Sequence, residues 1–135
     1  MVFSVKVRPT PRASVFVLWG DLDFGSAVQL QDAADAVLAG PHSAMPVVID
    51  CSDLAFCDSS GIGVMVRIHQ RLSACGGVLR LATVPGSVAR VLRLTGLDQA
   101  IAVFATAQEA LATGDGKQKP AAQDAPSAAR VTSQG

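Results

Sequence analysis

Phe3, Val5 and Val7 alternate with Ser4, Lys6 and Arg8, which is the two-residue period of a half-buried strand. A turn carrying Pro9, Thr10, Pro11 and Arg12 separates this segment from Ser14 to Trp19, where Val15-Phe16-Val17-Leu18-Trp19 is entirely apolar. The two segments should pair as an antiparallel hairpin. After Gly20-Asp21-Leu22-Asp23 the period changes. Ser26 stands three residues before Gln29, the spacing of a capping box, and Leu30, Ala33, Ala34, Val37 and Leu38 recur at helical intervals until Gly40-Pro41. Val47-Val48-Ile49-Asp50 reads as a short buried strand, and Ile62 to about Cys75 as the next helix, closed by Gly76-Gly77.

The alternation continues to residue 112. Val78-Leu79-Arg80-Leu81 predicts a strand, and Ser87 to about Leu94 a helix with Val88, Val91 and Leu92 inward. Gly96-Leu97 fits a Schellman ending. Ile101 to Phe104 predicts a last strand, and Thr106 with Glu109 a second capping box opening a helix through Leu111. The order β-β-α-β-α-β-α-β-α defines an α/β fold: a mixed, mostly parallel sheet of four to five strands with about four helices and right-handed crossovers. From Thr113 onward the chain has one Val and no Leu, Ile, Met or aromatic residue. Residues 1–112 are therefore expected to form the domain, and 113–135 a disordered polar C-terminal tail.

Composition narrows the function classes. The chain has 135 residues, 50% of them apolar, yet no run approaches the roughly 18 to 20 uninterrupted apolar residues of a membrane span. Its start lacks the basic and apolar regions of a secretory signal, so a cytoplasmic location without membrane contact is expected. Eleven basic residues balance eleven acidic ones, which argues against direct nucleic-acid binding. Five Phe, one Trp and no Tyr leave little for stacking on bases. Cys51, Cys57 and Cys75 show no metal or disulfide spacing and read as reduced, small hydrophobes. The neutrality is uneven: residues 1–58 carry a net −4 and residues 59–97 a net +5.

The segment Phe56-Cys57-Asp58-Ser59-Ser60-Gly61-Ile62-Gly63 is the candidate for chemistry. It lies at a helix start, where backbone N–H groups lack intrahelical partners. Asp58, Ser59 or Ser60 could simply be the N-cap. Alternatively, the small residues, with Gly61 and Gly63 removing bulk, form an open surface that a protein or a phosphate can approach. Neither serine fits G-x-S-x-G, and no Lys follows the glycines as a phosphate-binding loop requires. His42 reads as a solvated loop residue. His69 falls on the apolar arc of its helix and reads as a core-edge histidine with a satisfied nitrogen rather than a base. Asp21 and Asp23 without further ligands read as a solvated turn. No catalytic residue, cofactor or metal is expected.

The run Val47-Val48-Ile49-Asp50, then Leu54 and Phe56-Cys57-Asp58-Ser59-Ser60-Gly61-Ile62-Gly63, resembles the phosphorylation segment of bacterial anti-sigma factor antagonists, the standalone STAS domains. Gly20-Asp21-Leu22-Asp23, Gly76-Gly77 and Leu94-Thr95-Gly96-Leu97-Asp98 are similar to further segments of that family, so the resemblance covers residues 3–112. Phe24-Gly25 depart from the small or β-branched polar residues common there, and Cys57 from another apolar residue.

The resemblance implies a partner that is both an anti-sigma factor and a serine kinase of histidine-kinase-like ATPase fold. Unphosphorylated antagonist would capture it and free a sigma factor; phosphorylation would end capture, and a serine phosphatase could reset it. The implied phosphoacceptor is Ser59, and the implied partner-binding segment comprises Asp23, Asp58, Ser59, Ser60, Gly61 and Ile62. Within the basic stretch, which also holds Arg80, the arginines of the second and third helices, Arg67, Arg71, Arg90 and Arg93, could steer an acidic partner surface. Two alternatives stand beside this reading: a STAS scaffold subunit of a larger signalling assembly without a dedicated kinase, and a nucleotide-binding STAS domain using the Asp58 to Gly63 helix start.

Overall fold

The computed structural model describes residues 2–41 and 45–112; His42 and the 113–135 segment lie outside the described residues. In chain order the elements are β1 (Phe3–Pro9), β2 (Ser14–Leu22), α1 (Ala27–Leu38), β3 (Val47–Cys57), α2 (Ser59–Ala74), β4 (Leu79–Ala82), α3 (Gly86–Thr95), β5 (Ala102–Phe104) and α4 (Ala107–Ala112), with a 3-10 turn at Leu97–Gln99. The expected β-β-α-β-α-β-α-β-α order and mixed sheet are therefore present. The strands lie side by side in sequence order, β1 antiparallel to β2 and all other pairs parallel.

Strand alternation sorts the apolar residues onto two faces. Phe16 and Leu18, Val47 and Ile49, and Leu79 and Leu81 point to one side, where they bury Leu30 and Ala34 of α1, Met65, Ile68 and Leu72 of α2, and Val88 and Leu92 of α3. That placement follows from successive parallel crossovers of one hand, which carry each connecting helix to the same face. The opposite face holds a smaller cluster of Ala13, Val15, Val48 and Ala82 under Ala110 of α4. Buried Arg80 shares this side, and its Nη1 donates to the Ala110 carbonyl oxygen at 2.9 Å. This bond satisfies a carbonyl of the last turn of α4, a six-residue helix with few internal bonds of its own.

Several local expectations differ from the structure: Val91 of α3 is exposed rather than inward, and α2 begins at Ser59 rather than Ile62. β3 runs eleven residues rather than four, and β2 continues to Leu22. Polar Asp50, Ser52 and Asp53 break the apolar run, but the ladder resumes because β3 takes an extra residue between the Val17–Asp50 and Trp19–Asp53 rungs, and again between Gly20–Leu54 and Asp21–Phe56. The Ser52 N–H donates to Asp50 Oδ1 at 3.0 Å across the first irregularity. Ser26 makes no side-chain cap on α1. Its hydroxyl instead donates to the Asp21 carbonyl oxygen at 2.7 Å and accepts from the Asp23 N–H at 2.9 Å, which draws it into the preceding turn. By contrast, Thr106 Oγ1 does accept the Glu109 N–H at 3.0 Å, as its spacing predicted.

Gly20 is required where β1 and β2 meet. Its φ is +91°, and a Cβ there would lie 2.0 Å from the Val2 carbonyl oxygen, which accepts the Asp21 N–H at 3.1 Å. Gly20→Ala is expected to cost about 2 to 4 kcal/mol in urea unfolding, because it combines a positive φ with a backbone collision. A loss below about 0.5 kcal/mol would show that the hairpin end relaxes freely.

Candidate functional site

The sheet brings two loops together. Leu22 and Cys57 form the last rung between β2 and β3, and the Asp58 N–H donates to the Leu22 carbonyl oxygen at 3.1 Å. The chain leaving β2 turns into α1 and the chain leaving β3 turns into α2, so Asp23 opens the turn into α1 and Asp58 stands directly before α2. Asp23 Oδ1 accepts the Ser26 N–H at 3.1 Å, and its carbonyl oxygen accepts the Ala27 N–H at 2.8 Å. Its polar groups therefore shape the α1 turn.

Asp58 is the N-cap of α2. Its Oδ1 accepts the Ser60 N–H at 2.8 Å and the Gly61 N–H at 3.3 Å, while its carbonyl oxygen accepts the Ile62 N–H at 3.1 Å. Ser59 occupies the first helical position and is exposed; Ser60 is half-buried. Gly61 is buried rather than open. A Cβ there would sit 2.7 Å from both Cys57 Sγ and Leu22 Cγ, so the glycine lets the first turn of α2 seat against the strand ends. Ile62 is likewise buried in the core. Of the expected partner-binding residues, Ser59 and Arg67 are thus exposed, Asp23, Asp58 and Ser60 are half-buried, and Gly61 and Ile62 support the site from beneath.

A groove of about 450 Å³ runs between α1 and α2, with Ser59, Ser60, Gly63 and Arg67 on one wall and Phe24, Val28 and Gln31 on the other. Phe24 is 86% exposed and Val28 57%. Neither residue is among the site residues expected from the sequence, where Phe24 figures only as a departure from the family pattern. The available signals were an aromatic residue inside a polar turn and a valine on the otherwise polar arc of α1. From the groove along the outer side of α1 and α2, the two helices are laced by polar bonds. Arg67 Nε donates to Gln31 Oε1 at 3.2 Å, Gln31 Nε2 donates to Asp35 Oδ1 at 3.0 Å, and Arg71 pairs with the same carboxylate. The Gln31 amide, and after it Arg71, hold the Asp35 carboxyl below its ordinary range. The lacing is thus present above the ordinary carboxylate range and fades as pH falls through the lowered Asp35 value. Arg71 is consequently committed to α1 and Arg80 is buried on the far face, which reduces the expected steering surface to exposed Arg67, Arg90 and Arg93.

The other reactive side chains are passive by environment. Burial, reinforced by the Asp58 charge, pushes the Cys57 thiol up to about 11, and burial pushes Cys51 up to about 12. Both stay protonated at neutral pH and fill space. His69 is half-buried, and its Nδ1 is buried without a hydrogen-bond partner. Among the described residues no group of three or more His, Cys, Asp and Glu side chains could hold a metal ion, and no helix is long and apolar enough to cross a membrane.

The STAS domain family model matches residues 4–110. A Thermotoga neapolitana protein named as an anti-sigma factor antagonist is 34% identical over 71 residues, covering 53% of this chain and 63% of that protein, so the match spans less than two thirds of the relative. The crystal structure of an anti-sigma factor antagonist from Thermotoga maritima, described by that name, superposes with a TM-score of 0.73 at 25% identity, covering 78% of this chain and 90% of the other. The anti-sigma factor antagonist SpoIIAA in its unphosphorylated form gives 0.67 at 26% identity, covering 79% and 92%.

Two measurements check this geometry. Gly61→Ala should lose about 1 to 3 kcal/mol of stability, since the added methyl has to displace Leu22 or Cys57. At pH 8 a thiol reagent should label exposed Cys75 rapidly, half-buried Cys57 with its raised thiol much more slowly, and Cys51 only on unfolding. Three equally fast thiols would contradict the packing of α2 on β3.

Proposed function

The chain belongs to the STAS domain family, and from that premise we propose that it acts as an anti-sigma factor antagonist whose docking is switched at Ser59. Its partner is an anti-sigma factor that is also a serine kinase of histidine-kinase-like ATPase fold. The chain is the substrate of that kinase and not a catalyst. Unphosphorylated, it captures the partner and frees a sigma factor; phosphorylated, it lets go, and a serine phosphatase restores it. Cytoplasmic action without membrane or nucleic-acid contact belongs to the same reading.

The observation that carries this proposal is the exposed Ser59 hydroxyl on the rim of a groove whose opposite rim is exposed Phe24 and Val28. An aromatic and an aliphatic side chain beside a modifiable hydroxyl supply both an anchor and a switch. Large aromatic side chains dominate binding energy at interfaces when they enter a partner's pocket. Asp23, Asp58, Ser60 and Arg67 complete the docking surface, with Gly61 and Ile62 fixing its backbone.

The switch needs no change of fold. A phosphate on Ser59 adds about −1.5 to −2 charges beside the Asp58 carboxylate. Helix-start N–H groups often hold phosphates, but here the Ser60 and Gly61 N–H groups already serve Asp58. The phosphate therefore stays in water while the protein is free, and has to lose that water in a closed interface. A penalty of about 4 kcal/mol for a buried, unpaired charge weakens binding roughly a thousandfold.

Ser59→Ala should retain the kinase, whereas Ser59→Asp should weaken binding at least about a hundredfold in calorimetry, and only the wild-type chain should gain phosphate at residue 59 by mass spectrometry. Equal affinity of the two variants would refute the switch. Phe24→Ala should weaken binding about tenfold or more while leaving the melting temperature unchanged; an undiminished affinity would remove Phe24 from the interface.

A further inference from the structure

The face of the sheet opposite the groove is only partly covered. α4 packs over β3, β4 and β5 near Val48, Ala82 and Phe104, and its cluster also buries Val15 with Val17 half-buried against it, leaving β1, β2 from Trp19 onward and the second half of β3 open. On that open half Trp19 is 50% exposed and Phe56 47%. The cross-strand register arranges charge around this apolar strip. Lys6, Val17 and Asp50 form one row across β1, β2 and β3, and Ser4, Trp19 and Asp53 form the next. The basic side chain thus lies on the β1 side of the strip and the acidic ones on the β3 side. Lys6 and Asp50 are two strand spacings apart, about 10 Å, too far to pair within one molecule. Lys6 has no carboxylate partner among the described residues.

This pattern is self-complementary. We propose that the open half of the sheet is a self-association surface on which a second copy lies face to face, about a two-fold axis parallel to β2. That rotation exchanges the β1 and β3 sides while keeping every row at its own level. It sets Lys6 of each copy over Asp50 of the other and brings Trp19 and Val17 of both copies together at the centre. Asp50 can accept the new bond because only its Oδ1 is engaged, with the Ser52 N–H. Facing sheets pack about 10 Å apart, which is also the thickness of one helix layer. The second sheet therefore fits beside α4 in the layer that α4 already occupies. The patch measures about 15 by 20 Å, small for a permanent interface, so the dimer forms and dissociates with concentration. Both Ser59 grooves point away from the contact, so the association is independent of the proposed switch and tested separately from it.

Trp19 is the single tryptophan of the chain, so its emission reports on this contact alone. Sedimentation of the full chain at low salt should show a species of twice the 13.8 kDa chain mass that grows with concentration, accompanied by a blue shift of Trp19 emission. Lys6→Glu and Asp50→Lys should each weaken the dimer by tenfold or more. Mixing these two variants one to one should restore it, because every facing pair is then opposite in charge, and the double variant K6E/D50K should dimerise by itself. A monomer at every concentration, or a dimer indifferent to these changes, would overturn the proposal. Trp19 emission that is blue-shifted but independent of concentration would also overturn it, and would assign the face to another segment of the same chain.

Discussion

There is no room for a methyl group at Gly61. Leu22 and Cys57, the last rung of the β2–β3 ladder, lie where its Cβ would be, and α2 starts directly on top of them. Much of the candidate site depends on that contact. It brings the first turn of α2 to the height at which Asp58 can cap it, turns Ser59 outward, and sets α2 beside α1 with a groove between them. The same closeness half-buries Cys57 and raises its thiol out of the reactive range, so the thiol near Ser59 is silent.

A division of labour between the two faces follows. The face with α1, α2 and α3 holds the large core and presents the groove at its strand-end edge. The other face is thinner, held by small residues under α4 and by the buried Arg80 side chain bonded to Ala110. Charge is handled differently on each. Along the groove it is laced internally through Arg67, Gln31, Asp35 and Arg71, whereas across the open sheet Lys6 and Asp50 stand too far apart to meet. The net acidic and basic halves of the sequence are thus partly stitched together by the α1–α2 lacing and do not face a partner as two opposed fields.

The order of elements was legible because each buried face leaves a period in the sequence: two for Phe16 and Leu18, and about 3.6 for Leu30, Ala34 and Val37. The length of β3 was not, because Asp50, Ser52 and Asp53 interrupt the apolar run and only the irregular pairing with β2 carries the strand past them. Ser26 misled for a related reason. Its spacing to Gln29 suits a cap, but the Asp21 carbonyl is nearer in space. At the site, the polar run through Asp58 and Ser59 was visible as chemistry, but the roles within it depend on depth. Gly61 and Ile62 have the same local sequence context as Ser59 yet lie beneath the surface. Phe24 and Val28 could not be joined to Ser59 from sequence, since more than thirty positions separate them and only the parallel crossover brings them to one groove.

The central claim is that a modification at Ser59 acts at the groove while the fold stays as it is. Amide chemical shifts of the chain, recorded before and after stoichiometric phosphorylation of Ser59, test it most directly. Changes confined to residues 22–28 and 57–67, with β1, β4, β5, α3 and α4 unmoved, are the predicted result. Shift changes spread through the sheet and α4 would contradict the account, because the phosphate would then be acting by reshaping the domain.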